Sequence, residues 1–151
     1  RETDDTLFML MPLVHLSEYA VKRGDLVQAE AYMSEAFRVH AISRRVEESI
    51  KAIEQLADIA CHQQRHEVAV RLLGGAARAR AAGEFRKWAA RDAELSAMLT
   101  AARETLDASS FDAAWNDGAA MSLEQAIDYA RLVTEGDDEP GVEPLQHHDG
   151  T

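Results

Sequence analysis

Two stretches settle the fold: LVHLSEYAVKRGDLVQAEAYMSEA at residues 13–36 and IEQLADIACHQQRHEVAVRLLGGA at residues 53–76. Laid over one another at a spacing of 40, they share sizes more than letters. Leu13, Leu16, Ser17, Ala20, Ala29, Met33 and Ala36 stand over Ile53, Leu56, Ala57, Ala60, Ala69, Leu73 and Ala76. Intervals of three and four put these residues on helix faces. Small residues then sit where two helices cross closely, and large ones fill the gaps between them. Each stretch reads as a hairpin of two helices, and two such hairpins in tandem make a helical repeat.

The rest of the chain agrees with an all-α composition. Ala, Leu, Glu, Gln and Arg are abundant, proline occurs only at 12, 140 and 144, and no strand-like alternation of β-branched residues appears. The pattern predicts seven helices near 5–23, 26–41, 45–63, 66–82, 86–106, 110–117 and 123–134. Asp25 can cap the second helix, Ser109 and Ser110 look like caps for the sixth, and Ser122 with Gln125 makes a capping box for the seventh. Gly24 and Gly118 fall where helices should stop. Pro12 should kink the first helix or mark its start. A third copy of the repeat fails, because Ala93, Ser96, Ala97 and Thr100 break the size pattern. The last helices therefore read as a divergent cap on the array.

Charge is uneven. The formal net charge is −11, yet residues 135–151 alone hold Glu135, Asp137, Asp138, Glu139, Glu143 and Asp149 with no Lys or Arg. Such a segment has almost nothing to bury and reads as an acidic, disordered tail behind a helical domain at 1–134. Between Arg38 and Arg91, 11 basic residues meet 6 acidic ones, a balance that suits a solvated face laced with ion pairs. The acidic total argues against direct nucleic-acid binding. No apolar run approaches the roughly 18 residues a membrane helix requires. The single cysteine suits a cytoplasmic setting. A start at Arg1 without a signal peptide reads as a piece of a longer chain.

No residue set calls for catalysis, a cofactor or a metal. Cys61, His62, His66 and Glu67 cluster in sequence, but the repeat register lays 62–66 across a helix–helix turn and so breaks any shared helical face. The two histidines are expected to be exposed, one of them favourably near a helix C-terminus. His147 and His148 lie in the tail. Cys61 lacks a base and an orienting partner. Gly74 and Gly75 lie inside a helix, with no preceding strand and no phosphate-loop lysine, so they read as a close helix contact. Phe111, Ala114 and Trp115 share one face of a short helix; Leu123, Ala126, Ile127 and Ala130 share one face of the next. With stripes facing each other, the pair should form a lid on the end of the array, anchored by Trp115.

The size pattern resembles tetratricopeptide repeats, with a longer period than usual. The stretch FDAAWNDGAAMSLEQAIDYA, residues 111–130, resembles the C-terminal end of the helical-repeat region in large bacterial LuxR-type transcriptional regulators and related signal-transduction ATPases. Phe111, Ala114, Trp115, Gly118, Met121, Ser122, Leu123, Glu124, Ala126, Ile127, Tyr129 and Ala130 carry that likeness. It implies a right-handed α-solenoid of two hairpins, a long helix and a two-helix cap. It also implies a domain that binds a protein partner or other parts of its parent chain; a small effector held in the concave groove is the alternative. The family's phosphate-binding residues belong to a separate module and have no counterpart here. In such repeats the first helix of each hairpin lines the concave face. That register points Met11, Val14, Glu18, Val21 and Lys22 inward, with Lys51, Glu54, Asp58, Cys61 and His62 alongside. Glu18, Lys22, Lys51, Glu54, Asp58 and His62 are the candidate recognition residues.

Overall fold

The computed structural model describes residues 2–40, 45–83, 85 and 89–136. Among them are seven helices and no strand: α1 Glu2–Lys22, α2 Leu26–His40, α3 Val46–His62, α4 His66–Gly83, α5 Ala89–Thr105, α6 Ala108–Ala119 and α7 Leu123–Thr134. The expected tail beyond Gly136 lies outside the described residues.

Two hairpins, α1–α2 and α3–α4, stack with the second against the first. Their turns are copies. Gly24 and Gln64 both hold positive φ, at 81° and 64°. In each turn the following amide reaches back to an alanine: Asp25 N to Ala20 O at 2.9 Å and Arg65 N to Ala60 O at 2.8 Å. Asp25 also caps α2 through the Gln28 amide at 3.1 Å. Every residue of the 40-spaced size pattern is buried except Leu16, which is 44% exposed. Ser17 is the polar member of that set, and burial forces it to find partners. Its hydroxyl donates to the Ala29 carbonyl at 3.0 Å and accepts from Gln55 Nε2 at 3.2 Å, so one buried relay links α1, α2 and α3.

The described part of α5 has 17 residues, the expected start at 86–88 lying outside the described residues, and it rests on α3 and α4 through Leu95, Met98 and Ala102. α1 continues through Pro12 without ending there. α6 is capped by Asp107, which accepts from the Ser110 amide at 2.7 Å, and not by Ser109 or Ser110. The capping box at Ser122 and Gln125 is present as the sequence requires.

Glycines fix how α6 meets α4. A methyl group added at Gly118 would lie 1.9 Å from the Arg71 carbonyl oxygen, and one at Gly74 would lie 2.6 Å from the Trp115 carbonyl oxygen. Gly118 is thus a contact glycine inside α6 and not the residue that stops it, which corrects the expectation from sequence. Backbones can only approach this closely without side chains between them. Arg78 then closes the end of α6 by donating to the Met121 carbonyl at 3.1 Å.

The last two helices depart from the expected lid. They lay their stripes on the hairpins and not on each other: α6 lies along α4, and α7 crosses α2, α3 and α4. Ala126, Ile127, Tyr129, Ala130 and Val133 are all buried, a stripe wide enough to cover helices from both hairpins. Two arginines hold α7 in place. Arg71 Nη1 donates to the Tyr129 hydroxyl at 2.8 Å, and Arg131 Nε donates to the Phe37 carbonyl at 3.2 Å.

Candidate functional site

The first helices of the two hairpins and α5 enclose an open groove of about 730 Å³. Glu18, Val21 and Lys22 come from α1; Asp58, Cys61 and His62 from α3; Arg91, Glu94 and Met98 from α5. Six residues expected on the concave strip are therefore brought together. Three others take different places. Val14 is buried in the core, Met11 packs half-buried against it, and Lys51 is half-buried without lining the groove.

Glu54 is the instructive exception. It is only 1% exposed and accepts from Arg80 Nη2 at 2.7 Å across α3 and α4. The strip was assigned by helix register, and Glu54 lies one turn before Asp58 on that same face. Glu54 instead faces α4 and α5, so it forms a buried ion pair and not an open recognition charge. Burial of this kind requires a partner, and the sequence signal for it is Arg80, which shares the mostly alanine run of α4.

Charge in the groove is mixed and mutually compensating. Arg91 reaches Glu94 at 3.1 Å, Glu54 at 3.7 Å and Glu18 at 3.9 Å; His62 Nε2 lies 3.6 Å from Asp58. Burial raises the Asp58 pKa above the ordinary carboxylate value; His62 and Arg91 oppose the rise, while Glu94 and Glu18 add to it. The Cys61 thiol is pushed up to about 11 by burial and then by Asp58. A thiol so raised stays protonated at neutral pH and makes a poor nucleophile.

The histidine pair is split, but not as two exposed side chains. His62 is exposed at the end of α3, whereas His66 is buried at the start of α4, 3.2 Å from Gln64 Oε1. Among the described residues, no three His, Cys, Asp or Glu side chains are placed to hold a metal ion.

A second concavity, about 430 Å³, opens between α3, α4, α5 and α6. Sequence reading did not anticipate it. Trp115 is half-buried on its wall, while Phe111 and Ala114 are fully buried beside it. Phe111 therefore takes the anchoring place expected of Trp115, and the Arg103 guanidinium lies 4.0 Å from its ring centroid.

Comparison with known proteins finds relatives in part. An 80-residue segment, 53% of this chain, is 41% identical to a protein of Mycobacterium bovis provisionally designated an HTH-type transcriptional regulator. Two Mycobacterium tuberculosis strains carry proteins with the same provisional designation and the same 41% identity. The matched segment spans 9% of each relative's length. The chain matches no protein-family profile. No solved structure matches it. Over half its length the chain is thus related to proteins designated as transcriptional regulators. Among the described residues no helix is long and apolar enough to cross a membrane.

Proposed function

We propose that this is a tetratricopeptide-like recognition domain, of the LuxR-associated kind, serving a larger transcriptional regulator in the cytoplasm. It acts by binding and not by catalysis, with no cofactor and no direct contact to nucleic acid. The observation that carries this reading is the open groove formed by α1, α3 and α5 with Glu18, Lys22, Asp58, His62 and Arg91 along it. Interspersed charges over an apolar floor of Val21 and Met98 suit an extended protein segment, from a partner or from another part of the parent chain. The raised thiol of Cys61 fits a binding surface better than a nucleophile's pocket. The relation to designated transcriptional regulators supports the regulatory setting.

The test is charge reversal in the full-length regulator. A photo-crosslinking residue in place of His62 should capture one defined segment. Glu18→Lys with Asp58→Lys should abolish that capture while leaving the fold intact by circular dichroism. Capture that survives both reversals would overturn the assignment of the groove.

A further inference from the structure

We propose that the outer face of α1 is an interface, and that a further helical hairpin of the parent chain, preceding Arg1, docks on it. Pro12, Leu16 and Tyr19 recur at intervals of four and three and so share one stripe of α1, with Arg23 continuing it just past the helix end. Leu16 and Tyr19 are 44% and 63% exposed, and Pro12 is exposed beside them. Forty positions on, Ala52, Leu56 and Ile59 form the same stripe on α3, each at most 1% exposed. Gln63 continues that stripe as Arg23 does the first, and its Nε2 donates to Glu30 of α2 at 2.9 Å. The stripe on α3 is thus the face by which one hairpin seats on the hairpin before it.

α1 presents the same face with no hairpin seated on it among the described residues. In a stack of repeats each unit contacts only its neighbours, and a unit that ends the stack carries a polar outer face. Leu16 and Tyr19, neighbours on the helix surface, are the reverse of such an end. The first hairpin therefore has the register and the chemistry of an interior repeat. Relatives leave ample chain for one more, since the matched segment spans 9% of each. Repeat symmetry also defines the occupant. Its second helix takes the place that α2 takes against α3, with small residues where the helices cross. Opposite Arg23 it carries a carboxylate or amide oxygen, as Glu30 stands opposite Gln63. Arg23 is already held at this face, its guanidinium 5.3 Å from the Tyr19 ring centroid. The inference rests on the proposed membership of a larger regulator, and not on what the groove binds.

The test places a photo-crosslinking residue at Tyr19 of the full-length parent protein and, separately, at Val27. Val27 is 84% exposed and lies off the stripe, and its counterpart Glu67 stays exposed although a hairpin precedes it, so this position is the control. The Tyr19 probe should cross-link within one chain, to a segment ahead of Arg1 and within about one repeat of it. The Val27 probe should not reach that segment. Leu16→Glu should abolish the Tyr19 cross-link while the isolated 151-residue chain keeps its helical circular dichroism, because Leu16 is not part of its core. No cross-link from Tyr19, a cross-link to a second copy of the chain, or one to a remote segment overturns the proposal. A Tyr19 cross-link that survives Leu16→Glu overturns the stripe as its seat. Capture from His62 reports on the groove alone, so either reading can fail without the other.

Discussion

Gln64 holds the left-handed backbone conformation that Gly24 holds forty residues earlier, at φ 64° against 81°. A side chain in that region costs about 1 kcal/mol or more relative to glycine. Gln64 recovers part of it through its contact with His66. Gln64→Gly should therefore raise stability by about 0.5–1 kcal/mol, read as a higher urea midpoint at unchanged slope. Cys61 gives a second prediction. Its ordinary pKa of 9.0 rises to about 11 on folding, so the folded chain keeps a proton that the unfolded chain releases. Its contribution to stability is full below pH 9.0 and is lost as pH rises toward about 11. Cys61→Ala should flatten that alkaline decline. At pH 8 the folded thiol has about one-hundredth of the ordinary thiolate, and its higher intrinsic nucleophilicity restores about ten-fold. Labelling by a disulfide reagent should consequently run about ten-fold slower than in the unfolded chain. Asp58 follows the same sign in acid: its pKa is raised, so stability falls as pH climbs through its titration, and Asp58→Asn should stabilise at pH 7.

The helix ends were legible because caps and turns are local chemistry: Asp25, Ser122 and Gln125 act where the sequence places them. Gly118 was misread for the same reason. A glycine near a helix end has a local explanation ready, whereas its real neighbour, the Arg71 backbone, is 47 positions away in sequence. Two substitutions separate these roles. Gly118→Ala pushes a methyl into immovable backbone and should cost about 3 kcal/mol. Gly75→Ala meets the Ala126 methyl at 3.1 Å and the Gly118 carbonyl oxygen at an ordinary 3.4 Å, and regains about 1 kcal/mol of helix propensity, so it should be near neutral. Trp115→Ala removes a half-buried ring and should cost about 2 kcal/mol, less than the loss of the fully buried Phe111 at about 3–5 kcal/mol. Thermal unfolding of the four variants checks the order.

At the scale of the molecule, the size pattern gave the stacking of the hairpins and the groove between their first helices. It could not place Glu54, because burial of that carboxylate depends on Arg80 from α4 and on the approach of α5. Nor could it foresee the path of α7, whose stripe reads equally well as an end cap or as a strap. The same register explains an exposed face. Leu16 and Tyr19 of α1 are 44% and 63% exposed, while their counterparts Leu56 and Ile59 are buried where the second hairpin meets the first. Removing α7 tests its role. A chain ending at Met121 loses the burial of Ile127, Tyr129 and Val133, worth about 5 kcal/mol or more, and should unfold at markedly lower urea.

The bond from Arg131 on α7 to the Phe37 carbonyl on α2 joins residues 94 positions apart. A ribosome adds roughly 5–20 residues per second, so on the order of 5–20 s pass between the synthesis of Phe37 and that of its partner. Once α2 and then the second hairpin have emerged, they exist without their strap, and the side of α2 that α7 will cover faces the cell until α7 follows. The newborn chain thus has a defined window in which a chaperone, or a misplaced neighbour, can occupy that face. The window closes when Arg131 and Val133 leave the exit tunnel.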